Sequence, residues 1–406
     1  QLRGYTDAGA KPLFSTLLAP VVSGAFGGNV AAPYNLTLTN PNAAGTIYYT
    51  INGSDPRPIG GGAPSGALTG ASPISVTLNN SATLRARVYN SATLAWSPLV
   101  EPGYIVGVPA SETNLVVSQI HYNPATEDGL EEFVELLNIS AGNVDLTNVR
   151  FTMGIEFSFP LGYILAPGAR VLIVRDLAAF TAAYPSVPPA QIAGVFANAS
   201  ALSNSGERLQ LLGTGDVVLR DFSYDDEPLW PTTPDGLGAS LVLKRPEKNP
   251  NHGLAESWRA SGAHGGSPGA SDALTYAQWA SLNGVFDAVG TGDDDGDGSL
   301  NLVEHSLGTN PKSASKLPFT VGTQNFGVNG TYADYMTISF TRPTGRDEIA
   351  YTVEASGDLS APWSAGVLVS GPSNNGDSTE TLIYRHPVPM SGQPQQYLRI
   401  RFTRMP

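Results

Sequence analysis

The chain has 406 residues, no cysteine, and 22 Lys plus Arg against 35 Asp plus Glu, for a net charge of −13. That length is enough for three or four domains with cores of their own, and the lack of thiols removes disulfides and thiolate metal sites from consideration. An acidic balance without a basic run argues against nucleic acid and anionic membrane as partners, and no apolar run is long enough to span a bilayer.

With 45 Gly and 32 Pro, short runs rich in Val, Thr, Ile and Tyr recur between turn signals. This pattern predicts a mainly β chain of tandem immunoglobulin- and fibronectin-III-like sandwiches. Acidic, cysteine-free, small-residue-rich chains of this kind are common among secreted bacterial proteins, so an extracellular or cell-surface location is expected. Residues 1–20 have no clear period and read as the tail of an upstream region. The start, Gln1-Leu2-Arg3-Gly4, has neither Met nor signal segment and reads as a mature or clipped product.

Residues 21–107 form the first expected sandwich, with strands at Tyr34 to Thr39, Thr46 to Ile51, Ile74 to Leu78 and Thr83 to Tyr89 and turns at Asn52-Gly53 and Gly60 to Gly62. The stretch from Thr46 to Pro56, with Thr83 to Val88 and Trp96-Ser97, resembles the fibronectin-III-like module at the C-terminus of chitobiase and β-hexosaminidase enzymes. That resemblance implies an accessory module without catalytic residues. Tyr48, Tyr49 and Trp96 are sugar-stacking candidates, but strand alternation puts Tyr48 and Tyr49 on opposite faces, so at least one belongs to a core.

Residues 112–270 form the second expected domain. Val116 to Pro124, Glu131 to Asn138 and Val144 to Leu146, then Leu165 to Gly168, Leu202 to Glu207, Trp230-Pro231, Asp235 to Leu241, Trp258 and Gly265 to Gly269, from about Asn114 onward, resemble a lamin tail domain. The resemblance implies an immunoglobulin-like interaction or scaffolding module. Leu209 to Leu212 and Val217 to Leu219 should pair as a hairpin about Gly213 to Asp216, and Trp230 and Trp258 should be anchors in the core. Acidic groups at Glu127, Asp128, Glu131 and Glu132, and at Asp225, Asp226 and Glu227, are either solvated or a second cation site.

Residues 271–313 are expected to be a helix-loop-helix joint. Trp279, Leu282, Val285, Phe286 and Val289 fall three or four apart within a helix expected over Leu274 to Ala288. It enters the loop Asp293 to Glu304, in which Asp293, Asp295 and Asp297 occupy positions one, three and five, Gly298 six, Ser299 seven, Asn301 nine and Glu304 twelve, the pattern of an EF-hand calcium loop. A hard cation wanting six to eight oxygens would take these carboxylates, the Ser299 carbonyl and both Glu304 oxygens, while Gly298 permits the sharp turn. Ca2+ is therefore the expected ion, with Leu300 as an apolar anchor beneath it. A short exiting helix from Asn301 to Leu307 should stop at Gly308. The run through Pro311 resembles dockerin-like and thrombospondin-type-3-like calcium motifs, but as a single rather than a duplicated loop.

Residues 314–406 return to strands, at Tyr335 to Thr341, Ala350 to Ala355, Thr381 to Tyr384 and Tyr397 to Phe402. They are similar to the C-terminal sandwich of large secreted bacterial proteins. The five histidines are scattered, and no Gly-x-Ser-x-Gly elbow, His-Glu-x-x-His pair or phosphate-binding Gly-Lys-Ser/Thr loop occurs.

The chain thus reads as a non-catalytic extracellular scaffold, adhesive and stabilised by calcium. Self-assembly into a surface filament or layer is part of that expectation. Its partners would be copies of itself, as a homo-oligomer or homopolymer, or an extracellular polysaccharide or matrix. Residues 1–20, with apolar Leu13, Phe14, Leu17 and Leu18, are the expected segment for joining one copy to the next. The alternative is an accessory, carbohydrate-binding region of a larger secreted hydrolase or spore-coat-protein-H-like kinase.

Overall fold

A computed structural model of the chain describes residues 16–126, 128–359, 362–375, 378–391, 393 and 395–406. Leu13, Phe14 and the rest of residues 1–15 lie outside the described residues, as does Glu127. The chain is mainly β, with many sheets, as tandem immunoglobulin-like domains require. Among the described residues no helix is long and apolar enough to cross a membrane. The chain divides into two compact units: residues 1–116, 137–170 and 209–221 form one, and 117–136, 171–208 and 222–406 the other. The expected second domain therefore contributes to both.

In the first unit, Val21–Ser23, Tyr34–Thr39 and Ile74–Leu78 pair in one sheet, and Leu68–Thr69, Thr46–Thr50, Arg85–Asn90 and Ala95–Trp96 in another. Ile74–Leu78 alternates buried and exposed residue by residue, as a strand with one apolar face must. Leu36, Leu38, Ile47, Val76, Leu84 and Val88 form the shared core. Tyr49 packs against that core, while the Tyr48 ring meets Tyr89 and Trp96 at 6.4 and 6.1 Å. Trp96 is buried and its indole N–H donates to the Gly62 carbonyl at 3.1 Å. The three expected sugar-stacking rings are thus packing residues, not an open platform. At the start of the described chain, Leu18 is held by Asn42, which accepts its N–H at 2.8 Å and donates back to its carbonyl.

The first unit also holds Asp145, whose carboxylate accepts from the Ser81 hydroxyl and from the Thr147 N–H. The expected hairpin is present: Glu207–Leu212 and Val218–Tyr224 are neighbours in a four-stranded sheet. Gly215 and Asp216 take φ of 74° and 63° between them, the left-handed conformation such a turn needs.

A six-stranded sheet, most of whose residues belong to the second unit, runs in the order Ile192–Val195, Arg170–Val174, Phe133–Asn138, Leu115–His121, Leu241–Leu243, Trp258–Ala260. Two of these strands, Leu115–His121 and Phe133–Asn138, are buried at every residue. Their polar side chains consequently need internal partners. Ser118 donates to Glu135 at 2.6 Å, the second Glu135 oxygen accepts the Gly269 N–H at 2.7 Å, and Gln119 donates to Ser240 at 2.6 Å. Trp258 is buried and stacks with Phe222 at 5.8 Å, whereas Trp230 is only half-buried. Helix α1, Leu177–Ala183, begins at Asp176, whose carboxylate caps the Ala179 N–H at 2.8 Å, and buries Phe180 against Phe133 and Leu172.

Burial at the end of this strand has a titration consequence. His121 is 1% exposed, and desolvation lowers its pKa to about 4. An unfolded histidine titrates near 6.5. Between about pH 6.5 and 4 the unfolded chain binds a proton that the folded chain refuses, so stability is lost as pH falls through that window. At about 1.4 kcal/mol per unit, a loss of roughly 3 kcal/mol is expected. Urea melts of the wild type and of His121→Gln over this range check it: the variant's stability should fall less steeply, and parallel curves would refute the assignment.

The C-terminal sandwich, also in the second unit, sets Phe319–Val328, Thr331–Pro343, Thr379–Arg385 and Val367–Asn374 in one sheet and Ser364–Ala365, Ile349–Ser356 and Tyr397–Arg404 in the other. Its core joins Ile338, Phe340, Val353 and Leu382 to Leu307, which comes from the helix leaving the acidic loop. The joint is therefore built into this sandwich.

Candidate metal centre

Two short helices position the acidic loop. Helix α2, Tyr276–Leu282, opens with a capping box in which Thr275 accepts from the Gln278 N–H and Gln278 reaches back to the Thr275 N–H. It ends well short of the expected Ala288, because Asn283-Gly284 follows and Gly284 turns to φ 62°, a conformation that breaks the helix. Tyr276, Trp279, Ala280 and Val285 are buried, but Leu282, Phe286 and Val289 are 76, 98 and 63% exposed. Of the expected apolar face, only Trp279 and Val285 are thus buried. Asp287 organises the turn that follows, accepting the Val289 N–H at 3.0 Å and the Gly292 N–H at 2.6 Å.

Helix α3, Asn301–Leu307, leaves the loop and closes on Gly308 at φ 75°, whose N–H reaches the Glu304 carbonyl. A side chain at 308 would strike Pro343 at 2.6 Å, so glycine is required both by the turn and by the sandwich behind it. Leu300, the expected anchor, is instead the residue before the helix and is 44% exposed. Leu302 takes the inward place, against Tyr276, Trp279 and Val285.

Within the loop, Asp293, Asp295 and Asp297 bring one carboxylate oxygen each to within 4.8 Å of one another. Local hydrogen bonds hold the chain in this curl. The two Asp293 oxygens accept from Gly296 and Gly298 N–H, both at 2.9 Å, and Asp295 accepts from the Asp297 N–H at 3.0 Å. Asp297 accepts the Ser299 N–H at 2.7 Å and, across the joint, the Ser315 N–H at 2.9 Å. Gly296 and Gly298 turn at φ 75° and 92°, where a side chain would be strained.

Glu304 and Asn301, on α3, are fully buried; Glu304 feels the charges of the three aspartates but is not among the groups whose oxygens lie within 4.8 Å of one another, and the Asn301 amide donates to Asp294. One oxygen of each, Glu304 Oε2 and Asn301 Oδ1, has no hydrogen-bond partner, and neither has Asp295 Oδ2. Burial, together with the charges of Asp295 and Asp297, pushes the Glu304 carboxyl up to about 7. A buried carboxylate facing like charges is unfavourable unless a cation or a proton neutralises it. The orphaned oxygens fit a hard, oxygen-binding divalent cation, and the all-oxygen donor set suits such an ion better than a thiolate- or imidazole-seeking metal. Ser299 lies between the carboxylates and the helix, with its N–H committed to Asp297.

Sequence reasoning did not single out the supports of this loop. Asp294 accepts from the Asn301 amide at 3.0 Å and from Lys312 at 2.5 Å, and Lys312 holds its carboxyl below the ordinary range. Tyr351 donates to the Ser306 carbonyl at 2.7 Å, and Arg346 donates to that of His305 at 3.0 Å. These partners lie up to about fifty residues away, so no local spacing signals them. Among the described residues, the acidic groups considered for a second cation are not gathered into a cluster, and Glu127 lies outside the described residues. Glu132 binds Arg175 at 2.5 Å and the Leu202 N–H at 2.7 Å, and Asp225 accepts the Glu227 N–H at 3.0 Å.

Comparison with known proteins places two modules. Residues 109–225 match the family model of the Lamin Tail Domain, and residues 36–98, preceding it, match the one described as Fn3 associated. Neither family is a catalytic one. The six-stranded sheet continues past the first match, taking in Leu241–Leu243 and Trp258–Ala260. Among solved structures, a DUF4876 family protein from Bacteroides thetaiotaomicron VPI-5482 is similar over 57% of this chain and 93% of that one, at 13% identity and a TM-score of 0.28. No curated protein matches the chain significantly.

Proposed function

We propose that this chain is a non-catalytic structural or adhesive scaffold of a bacterial cell exterior, able to associate with its own copies or a surrounding matrix, and that one Ca2+ at Asp293, Asp295, Asp297, Ser299, Asn301 and Glu304 clamps its C-terminal joint. The observation that carries the reading is the set of orphaned oxygens, above all Glu304 Oε2, buried beside a cluster of three carboxylates. Asp293, Asp295 and Asp297 supply charge and Glu304 reaches the ion from the helix. With the ion bound, the charge conflict at Glu304 becomes an attraction. Because Asp297 also holds Ser315 and α3 buries Leu307 in the sandwich core, ordering the loop orders the entry to the last domain. The reading calls for a scaffold's inventory of groups, and the matched families agree with it in kind. Calorimetric titration with calcium chloride should give one site per chain. Panels of glycoside, peptide and phosphoester substrates should give no turnover above background. No calcium heat, or hydrolysis abolished by changing one carboxylate or histidine, would sink the proposal.

A further inference from the structure

The C-terminal sandwich has four outer strands, and three of them carry features that discourage pairing with another sheet. Val367–Asn374 contains Pro372 and its register shifts twice, Ser364–Ala365 has two residues, and Tyr397–Arg404 bears Arg399, Arg401 and Arg404. Bulges, proline, shortness and charge are the ordinary means of blunting a sheet edge. The fourth, Phe319–Val328, has none of them. It runs ten residues without a charge or a proline, and pairs with Thr331–Pro343 in unbroken register from Phe319–Phe340 to Val328–Thr331.

The direction of its amides follows from the turn. Asn329 and Gly330, at φ 52° and 80°, make a two-residue hairpin closing on Val328 and Thr331, and the Thr341 N–H reaches the Pro318 carbonyl at 3.0 Å. Both place the even-numbered residues of the strand in hydrogen-bonded pairs with its neighbour, since such pairs alternate along an antiparallel ladder. The intervening residues Val321, Thr323, Asn325 and Gly327 turn their N–H and C=O groups to the open side. All four are exposed. The Tyr332 ring covers Gly327, so closely that a side chain there would meet it at 3.0 Å, which stiffens the far end of the hairpin.

We propose that this edge pairs with the same edge of a second copy, antiparallel about a two-fold axis near Thr323, continuing the four-stranded sheet across two chains. The outward groups are self-complementary under that operation: Val321 meets Asn325 of the second copy, Thr323 meets Thr323, and each pair is of the hydrogen-bonding kind. A chain of net charge −13 repels its copies over most of its surface, and this uncharged strand is a place where two can meet. An isologous contact closes at the dimer. The inference depends on the C-terminal sandwich alone and stands whether or not the loop at 293–304 holds calcium.

Light scattering on the full chain between 1 and 100 µM should show a rise from 42.4 kDa toward twice that mass. Val321→Lys, which keeps the backbone and adds a charge at an outward position, should remain monomeric with an unchanged melting curve. Because the chain has no cysteine, Thr323→Cys should cross-link to a dimer on mild oxidation, while Ile59→Cys, fully exposed in the other unit, should not. A monomer throughout, equal dimerisation of Val321→Lys, or equal cross-linking from both cysteine variants would overturn the pairing.

Discussion

Chelation should lower the melting temperature of the wild type and leave that of Asp295→Ala/Glu304→Ala unchanged. An ion present at about a hundred times its dissociation constant stabilises the bound form by roughly 2.7 kcal/mol, and the double variant removes the two carboxylates that each have one buried oxygen without a partner. Its own melting temperature should lie near that of the chelated wild type or slightly above it, since the repulsion around Glu304 goes with the side chain. Limited proteolysis gives an independent reading. Calcium should protect the bond region around Gly290, whose N-terminal side holds exposed Phe286 and Val289, and chelator should open it. If chelator alters neither the wild-type melting curve nor the cleavage pattern, the loop is a solvated acidic turn and the clamp is wrong.

How much of this was legible beforehand depended on whether one face of each element was buried. Tyr34–Thr39 and Ile74–Leu78 alternate in sequence because they alternate in burial, and their bounds were readable from period alone. Leu115–His121 is buried on both faces while carrying Ser118, Gln119 and His121, so periodicity misleads there, and only resemblance to a lamin tail domain located it. Phe319–Val328 fails in the opposite sense: it is exposed on both faces for most of its length, leaving no apolar pattern to find. Helix α1 was missed because its seven residues present one large anchor, Phe180. In the joint, the alternating carboxylates and Gly298 drew attention to the loop through their spacing, and Asp293, Asp295 and Asp297 lie with one oxygen each within 4.8 Å of one another. The flanks were less so. Leu282, Phe286 and Val289 have helical spacing but lie at or beyond the Asn283-Gly284 stop, and a terminator outweighs periodicity when the remaining turn has nothing to pack against. That α3 belongs to the sandwich core through Leu307 is a tertiary fact with no local signature.

Arg259→Met should be the most destabilising single change in the second unit outside its apolar cores. Arg259 lies on Trp258–Ala260, the last strand of the six-stranded sheet, and its guanidinium is shared between two carboxylates: Asp272 at 2.5 Å and Asp347 at 2.7 Å. Asp272 belongs to the segment leading into α2 and Asp347 to the turn before Ile349–Ser356, so one side chain ties the sheet, the joint and the C-terminal sandwich together. All three side chains are about nine-tenths buried, at 11, 12 and 9% exposure. Burial by itself pushes the Asp272 carboxyl up, but the hydrogen bonds and charge of Arg259, with the Gly262 N–H, outweigh it and hold the group below its ordinary value. Methionine keeps the length and apolar stem but leaves two buried carboxylates facing each other without the guanidinium that both of them bind. Breaking a buried pair in this way costs about 3–5 kcal/mol. The sign of the pH response distinguishes this cause from lost packing. In the wild type the depressed Asp272 stabilises the fold above the unfolded carboxylate pKa, near 4, and the contribution is lost as pH falls through the lower folded value. In Arg259→Met the carboxylates take up protons more readily in the folded chain than in the unfolded one, so mild acid should recover part of the lost stability before general acid unfolding begins. Denaturant melts at pH 7 and pH 5 measure both effects. A loss below about 1 kcal/mol at pH 7, the range of an exposed ion pair, or a deficit that does not shrink at pH 5, would show that Arg259 is not the electrostatic lock of this unit.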